Sequence, residues 1–469
     1  MLQWFPVKTC KRRQTKGTTM KTSTNPASIT TRCGLRHAAA ALLALSLASS
    51  ASADSALVCT ITPERGVLAS GVPETAVVKV ALTGGRVETQ ARPAVNLAIV
   101  LDRSGSMSGD KIVRAREAAI AAVSRLDERD QVSVVVFDES IDTIVPAQSA
   151  GNRESIVRRI QAIEARGSTA IFGGVSQAAS EIRKNLGRGM VNRIILLSDG
   201  QANVGPASPH ELGRLGAALV KEGVSVSTVG VGLDYNEDLM TSLSRQSDGN
   251  SYFVENSDDL PRIFSKELGD VLSVAAKDVR LKIHFKRGAV PVELIGRDGR
   301  ISDGVVTVDF NQIYSGQEKY VLVKAEFAVG EDGERRDFAT AEVSYRHPVS
   351  ESRGTVAASG AIRFSRDAAV VKKSANVEVV KEVVYNINAV EMDRAVKLSD
   401  EGKSEESRQV FEANAERLEK AAKEYGINVA PAAQMQRDVA TKAAKGKLAP
   451  DYRKRVVHES YEITTQQSK

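Results

Sequence analysis

Residues 93–272 alternate between two hydrophobic patterns. Short apolar runs with almost no polar interruption, such as 97–101 and 194–197, predict strands that are buried on both faces. Between these runs, apolar residues recur at steps of three and four, as over 110–126, and this spacing predicts amphipathic helices. Strands that alternate with helices predict an α/β doubly wound unit, in which helices cover both faces of a mainly parallel, Rossmann-like sheet.

The flanking segments, residues 54–92 and 273–367, follow a different period. Their apolar and polar residues alternate, and Gly and Asp separate the runs, so both segments predict antiparallel strands. Residues 54–92 hold too few strands to fold alone. We therefore expect them to complete one β-sandwich with 273–367, so that the α/β unit is inserted in this β-sandwich.

The C-terminal part of the chain returns to a helical period. Within residues 368–428, Phe411, Ala415 and Leu418 follow one another at steps of four and three on one helical face, after an upstream apolar helix. These two helices predict a C-terminal helical hairpin. Residues 429–469 are largely polar and are interpreted as a polar tail.

Residues 1–53 resemble a signal segment for export. They contain eight Lys and Arg and no acid, an apolar core over 38–48, and Ala-Ser-Ala at 51–53. We expect cleavage before Asp54 and a periplasmic or extracellular, cell-surface location; Met20 is an alternative translation start, and a retained N-terminal anchor is the alternative to cleavage. No later segment is long and apolar enough to span a bilayer, so the mature chain is expected to lack a transmembrane span.

Charge and cysteine content narrow the function classes. Without residues 1–53 the chain has 56 basic and 58 acidic residues, a net charge of −2, so it has no basic field that would favour nucleic acid as a partner. Cys59 is the single cysteine after residue 53, which excludes an intrachain disulfide and a cysteine metal cluster in the mature chain. Residues 56–59 match a lipidation motif poorly, so a buried structural cysteine is favoured over a lipidated one.

Polar side chains follow the buried strands of the α/β unit. Asp102, Ser104 and Ser106 follow the first strand, and Asp199 follows the run at 194–197. Thr169 stands just before a predicted helix. Because ligands of doubly wound sheets bind outside the carboxyl ends of the strands, we expect these five residues to lie together. Carboxylate and hydroxyl oxygens suit a hard cation, Mg²⁺ foremost, with Mn²⁺ or Ca²⁺ as alternatives.

The residues "DRSGSM" at 102–107, together with Thr169 and Asp199, resemble the metal-ion-dependent adhesion site (MIDAS) of von Willebrand factor type A (VWA) domains of bacterial type. The resemblance covers residues 93–272, and the flanking strands resemble relatives of inter-α-trypsin inhibitor heavy chains. It implies that the two serines and the threonine can ligate the metal directly, while the acids often act through water. It also implies that a Glu or Asp carboxylate of a protein partner completes the metal coordination.

The sequence does not favour an enzyme. The histidines after residue 53 do not follow the first or the fourth strand, so Ser106 has no candidate base nearby. Residues 105–109 read Gly-Ser-Met-Ser-Gly, which places Met107 where a nucleophilic serine would stand. Gly230 and Gly232 lack the third glycine of a dinucleotide-binding loop.

The resulting hypothesis is an exported, non-catalytic binding protein with an adhesion-type metal site. The alternative is a structural envelope protein whose VWA domain serves as a scaffold without metal-dependent ligand binding.

Two smaller expectations concern neighbours of the site. Arg103 is expected to be a solvated rim residue, and Asp234 and Asp238 are expected to cap the helix that follows them.

Overall fold

A computed structural model describes residues 56–86, 92–187 and 189–467. The predicted signal segment, residues 1–53, lies outside the described residues, as does its predicted cleavage site. Three strands come first in the described chain: β1 (Leu57–Pro63), β2 (Val67–Ala69) and β3 (Glu74–Gly84).

The α/β unit follows these three strands. Its strands are β4 (Val95–Asp102), β5 (Gln131–Phe137), β6 (Ile141–Ser149), β7 (Val191–Ser198), β8 (Val224–Val231) and β9 (Ser251–Val254). Its helices are α1 (Asp110–Ser124), α2 (Arg153–Gln161), α3 (Ile171–Arg183), α4 (Pro209–Lys221), α5 (Glu237–Gln246) and α6 (Leu260–Val271). The strands form one sheet in the order β6-β5-β4-β7-β8-β9, in which β6 alone runs antiparallel to its neighbour. The predicted doubly wound fold is confirmed.

Both faces of this sheet are covered. In β4, Leu97, Ile99 and Leu101 pack in the cluster that contains the apolar residues of α1 and α6. The alternate residues Ala98 and Val100 pack in a second cluster, with those of α3, α4 and α5. Every residue of β4, β7 and β8 is buried, which explains why their sequences show apolar runs rather than alternation.

The strands on the two sides of the α/β unit share one sandwich. After the unit come β10 (Val274–Phe285), β11 (Ala289–Ile295), β12 (Arg300–Ser302), β13 (Val305–Tyr314), β14 (Glu318–Phe327), β15 (Arg335–Arg346) and β16 (Arg353–Ser365). One sheet has the order β1-β3-β14-β11 and the other β12-β13-β10-β15-β16-β2. Strand β3 pairs antiparallel with β14, and β2 pairs parallel with β16, so the predicted pairing across the insertion is confirmed.

Helices complete the chain: α7 (Ala368–Lys373), α8 (Val377–Asp400), α9 (Ser404–Tyr425), α10 (Ala430–Ala443) and α11 (Pro450–Thr465). Helices α8 and α9 form the predicted hairpin. Residues 429–469 correct the expectation of a polar tail, because α10 packs on α9 and α11 packs on α8. Much of their buried face consists of alanine and of polar residues such as Ser460 and Thr464, which give little hydrophobic signal. Pro431 and Pro450 stand in the first turns of these helices, where proline is tolerated.

The sandwich meets the α/β unit at the amino ends of the sheet strands. Arg193, near the start of β7, hydrogen-bonds Gln312 and Tyr314 of β13, and the Asn311 side chain donates to Ser225 at the start of β8. The carboxyl ends of β4 and β7 therefore lie at the opposite edge of the sheet, about 20 Å away at the rise of a strand. Within the described ranges, none of the helices has the length and apolar character to span a membrane.

Candidate metal-ion site

The loop after β4 gathers the first three predicted site residues. Asp102 ends the strand, and its Oδ1 accepts a hydrogen bond from the backbone N–H of Ser104 at 2.8 Å. This turn leads into a 3-10 turn, Gly105–Met107, in which the Ser104 and Ser106 hydroxyl oxygens lie 3.0 Å apart. The Met107 side chain is fully buried and anchors the loop to the domain core. The short polar turn therefore holds one carboxylate and two hydroxyls on a buried anchor.

The end of β7 brings the second carboxylate to this loop. Because β7 lies beside β4 in the sheet, Asp199 falls next to Ser106, whose hydroxyl donates to Asp199 Oδ1 at 2.7 Å. One residue earlier, the Ser198 hydroxyl donates to Asp102 Oδ2. The two loops are therefore joined by side chains at the positions that the sequence pattern singled out.

Thr169 reaches the same place from the loop before α3. Its N–H donates to Asn203 Oδ1 at 2.9 Å, and its carbonyl accepts the N–H of Asn203 at 3.1 Å, so this loop is tied to the loop after β7. A Cβ atom added to Gly200 would lie 2.9 Å from Thr169 Oγ1 and 3.6 Å from Asp102 Oδ2. The Thr169 hydroxyl and the Asp102 carboxylate therefore face the same small space beside Gly200. The structure thus brings all five predicted residues together.

The two carboxylates of this cluster are buried. Asp102 and Asp199 have no exposed surface, whereas Ser106 is exposed and opens the cluster to solvent. Burial raises the pKa of Asp102 to about 6, although the hydrogen bonds from Ser104 and Ser198 oppose this rise. Lys111, in the first turn of α1, forms an ion pair with Asp199 Oδ2. One ammonium group thus balances one of the two buried carboxyl groups, that of Asp199.

This set of donors fits a divalent cation. It consists of oxygen atoms alone, which hard cations such as Mg²⁺ prefer. Nowhere in the described segments do three or more His, Cys, Asp or Glu side chains form a group that could hold a metal. A metal at this cluster would therefore depend on the hydroxyls of Ser104, Ser106 and Thr169 beside the two acids.

Several supporting residues escaped the sequence analysis. Lys111 and Ser198 bind the two carboxylates, Gly200 leaves room for Thr169, and Asn203 fixes the Thr169 backbone. These four residues reach the site through contacts between segments that are distant along the chain. The sequence offered one signal for two of them: Ser198 and Gly200 are the immediate neighbours of Asp199.

The expectation for Arg103 is corrected. Arg103 is 8 % exposed, and its Nε donates to Asp138 Oδ2 at 2.8 Å, while its guanidinium also pairs with Asp142. Arg166 donates to the same Asp138 oxygen but leaves 61 % of its own side chain exposed. Arg103 is therefore a buried residue that ties the loop after β4 to Asp138 and Asp142, and Arg166 is the solvated cation at the rim of the site.

The cap of α5 also differs from the expectation. Asn236 caps this helix, because its side chain accepts the N–H of Leu239 at 3.0 Å. Asp238 stands in the first turn of the helix and pairs with Arg453 of α11.

Comparison with known proteins identifies the α/β unit. Residues 96–266 match the family model of the von Willebrand factor type A domain. Residues 96–266 of the chain therefore form a VWA domain.

Two curated relatives extend the comparison. The uncharacterized protein YfbK of Escherichia coli K12 is 29 % identical over 200 residues, which cover 42 % of this chain and 35 % of that protein. Human inter-alpha-trypsin inhibitor heavy chain H4 is 26 % identical over 300 residues, which cover 62 % of this chain and 29 % of that protein. The resemblance to both groups is confirmed. The chain spans about a third of the length of these relatives.

Solved structures share the fold over most of the chain. A von Willebrand factor type A protein from Catenulispora acidiphila has a TM-score of 0.66 at 17 % identity and covers 86 % of this chain and 96 % of its own. The ArnB paralog VWA2 from Sulfolobus acidocaldarius has a TM-score of 0.57 at 19 % identity, with coverages of 87 % and 98 %. At these identities the likeness establishes the fold alone.

Proposed function

We propose that this chain is an exported, non-catalytic binding protein. It holds a divalent cation, Mg²⁺ foremost with Mn²⁺ or Ca²⁺ as alternatives, at an adhesion-type site. Through the cation it binds a Glu or Asp carboxylate of a protein partner. The observation that carries the proposal is the convergence of five oxygen-bearing side chains on one small space: Asp102, Ser104, Ser106, Thr169 and Asp199.

Some residues of the site position the cation, and others leave it accessible to the partner. When bound, the cation supplies a concentrated positive charge that attracts a carboxylate. Asp102 orients the first loop through the Ser104 N–H and the Ser198 hydroxyl. Ser106 stands at the exposed side of the cluster, where a partner can approach. The sandwich lies at the other edge of the sheet, so it leaves this approach open.

The contacts of the site support binding rather than catalysis. In the part of the chain that the structure describes, no histidine or cysteine hydrogen-bonds any of the five site side chains. Among the described residues, the site therefore lacks the Ser–His or Cys–His pair of a nucleophilic enzyme. One observation favours the alternative, a structural envelope protein: the ion pair of Lys111 with Asp199 lets the loops balance part of their charge without a cation.

The experiment is a capture with and without metal. The full chain is immobilised and exposed to envelope extract in Mg²⁺ or in EDTA, and the retained proteins are compared with those on a chain that carries Asp102→Ala. We expect a partner that is retained by the wild type in Mg²⁺ alone. Replacing the critical partner acid by its amide should then weaken binding at least about tenfold. Equal retention in all arms would favour the structural alternative.

Export predicts a processed chain. We expect the mature protein to begin at Asp54, because Ala51 and Ala53 fit the cleavage subsites after the apolar core. Intact-mass spectrometry of the protein recovered outside the cytoplasm measures this directly. A mass that includes residues 20–53 would exclude the cleavage.

Replacing Lys111 by methionine should tighten Mg²⁺ binding. The Lys111 ammonium occupies Asp199 Oδ2, so a dication at the site must share this carboxylate with a like charge. Two unit charges about 4 Å apart interact by about 1 kcal/mol in water, which corresponds to a gain of about fivefold. Calorimetric titration of the metal-free chain measures the affinity. Arg114→Gln, which removes an exposed cation from the same helix, should leave the affinity unchanged; a weaker affinity in Lys111→Met would assign the lysine a supporting role instead.

Replacing Gly200 by alanine should weaken Mg²⁺ binding about tenfold, or about 1.4 kcal/mol. The new Cβ would lie 2.9 Å from Thr169 Oγ1, so the threonine hydroxyl must move away from the site. Titration calorimetry measures the affinity, and thermal unfolding shows whether the fold is kept. Gly269→Ala is the matched control, because the nearest atom to its Cβ would be 3.9 Å away. Equal affinities in the two variants would remove Thr169 from the ligand set.

A further inference from the structure

A second cleft opens at the junction of the VWA domain, the sandwich and the last helix. Its volume is about 840 Å³, within the range of ligand-binding cavities, and such cavities occur preferentially where domains meet. Helix α5 contributes Arg245, the segment between β11 and β12 contributes Arg297, and β16 contributes Arg353. Tyr461 and Thr464 of α11 line the cleft as well. Because it lies where the sandwich meets the sheet, the cleft is separate from the metal site.

Most acids of this cleft are already paired. Asp248 accepts Arg297 Nη2 at 3.2 Å and the backbone N–H of Asn311 at 2.6 Å. In the same way, Arg280 pairs with Asp309 at 2.7 Å, and Arg346 pairs with Asp278 at 2.7 Å. These three carboxylates therefore neutralise three of the lining arginines and are not free to pair with the other cations.

Three lining cations form no ion pair with an acid of the cleft, although Arg245 lies close enough to Asp393 of α8 to stabilise that carboxylate. The Arg245 guanidinium lies over the Tyr461 ring, 5.2 Å from its centroid, and donates one hydrogen bond to Thr464 Oγ1 at 3.1 Å. The side chains of Arg353 and Lys221 make no hydrogen bond or ion pair with any residue in the described ranges. Asp298 is the one lining acid without an ion pair among those residues. The cleft thus carries an excess of positive charge.

The stacking of the arginines prepares them to bind an anionic group. Arg297 lies over the Phe310 ring at 4.2 Å from its centroid, as Arg245 lies over Tyr461. An aromatic ring fixes the plane of a guanidinium, so less rotamer entropy is lost when its edge binds a carboxylate or a phosphate. Asp248 already accepts Arg297, so of the two stacked arginines Arg245 is available to a ligand. A ligand that binds Arg245 of the VWA domain and Arg353 of the sandwich would bridge the two units.

We propose that this cleft binds a small organic molecule with at least two anionic groups, either carboxylates or phosphates. Arg245 and Arg353 contact the anionic groups directly, and Lys221 adds charge at the rim. The Tyr461 ring stacks against the guanidinium of Arg245, and the Phe310 ring stacks against that of Arg297. Because the cleft lies between the VWA domain and the sandwich, bound ligand stabilises their arrangement and raises the unfolding temperature.

Titration calorimetry with two probes tests the proposal. Inorganic phosphate and tricarballylate are titrated separately into the full chain, which is freed of metal on a chelating resin, at constant ionic strength set with chloride. We expect saturable binding of at least one probe with a Kd of about 1 mM or lower. Binding of phosphate alone indicates a phosphorylated ligand, and binding of tricarballylate alone indicates a polycarboxylate.

Two variants locate the binding. Arg353→Gln should weaken it at least about tenfold; because this side chain is exposed, we expect an unchanged unfolding temperature, which thermal unfolding checks. Arg245→Gln should weaken it similarly, and Arg262→Gln, an exposed cation on α6, should not change it. Absence of saturable binding of both probes up to about 10 mM would overturn the proposal. Binding that Arg353→Gln and Arg245→Gln leave unchanged would overturn it too.

Discussion

Replacing Asp102 by alanine should abolish Mg²⁺ binding while the VWA domain stays folded. Asp102 is fully buried, and it orients both Ser104 and the loop after β7 through Ser198. Its loss removes one of two negative charges and frees the loop that carries two ligand hydroxyls. We expect an affinity loss of at least about a hundredfold, or about 2.7 kcal/mol.

The fold should tolerate this change for an electrostatic reason. Burial raises the pKa of Asp102 to about 6, so keeping this carboxylate ionised at neutral pH in the metal-free chain costs folding free energy. Alanine removes this cost but leaves the Ser104 N–H and the Ser198 hydroxyl without their acceptor, at about 1 kcal/mol each. The two effects oppose each other, so the unfolding midpoint should move by only a few degrees.

The measurement has four arms: calorimetry of wild type and Asp102→Ala, each with Mg²⁺ and with chelator present. Thr169→Ala should reproduce the loss, because it removes a hydroxyl that faces the same space. Asp110→Ala is the matched control, since it removes an exposed carboxylate from the neighbouring helix turn. Equal Mg²⁺ affinity of wild type and Asp102→Ala would exclude the site, and the scaffold alternative would then stand.

The position of the site at the strand ends could be predicted, because burial on both faces implies a parallel sheet whose carboxyl strand ends lie together. An apolar run such as β4 can be buried on both faces only in a helix-covered sheet, and its carboxyl end must then meet those of its neighbours. Asp102 and Asp199 follow β4 and β7, which lie side by side, so two short motifs were enough to expect one site. The five residues meet for this reason.

The contacts between loops could not be predicted in the same way. Lys111 pairs with Asp199 across 88 positions of sequence, and neither hydrophobic period nor turn chemistry constrains such a pair. Helix α11 was missed for a different reason. It attaches to the VWA domain through polar contacts, such as Lys454 to the Tyr235 carbonyl at 2.7 Å and the Tyr461 hydroxyl to the Gly249 carbonyl at 2.7 Å. A helix that packs through hydrogen bonds lacks the apolar stripe on which the prediction relied.

The burial of Arg193 could not be predicted from sequence patterns. A charged residue near the start of a strand would be expected at the surface, yet Arg193 has no exposed area. The sandwich covers this end of the sheet, and Gln312 of β13 accepts Arg193 Nη2 at 2.8 Å. Glu267 of α6, also without exposed area, lies 3.4 Å from Arg193 Nη1. A buried ion pair therefore lies inside the VWA domain, at the end of the sheet that the sandwich covers.

Replacing Glu267 by glutamine should destabilise the chain by about 3–5 kcal/mol. The glutamine keeps the shape, so Asn250 and Tyr252, which donate to Glu267 Oε2 at 2.8 and 2.9 Å, can still find an acceptor. The cost arises because the Arg193 charge stays buried without a counter-charge, whereas the unfolded chain hydrates both groups. The midpoint of urea unfolding, followed by circular dichroism, gives the change.

The companion variants separate charge from packing. Arg193→Met should cost a similar amount, since it leaves the Glu267 carboxylate buried alone. The double variant should cost clearly less than the two single changes together, because neither charge then remains unpaired. Glu255→Gln, which removes an exposed partner of Arg455, should leave the midpoint in place. Since the pair lies at the amino ends of the strands, all these variants should bind Mg²⁺ like the wild type. Losses that simply add in the double variant would show that the two buried charges contribute no coupling free energy to the stability of the chain.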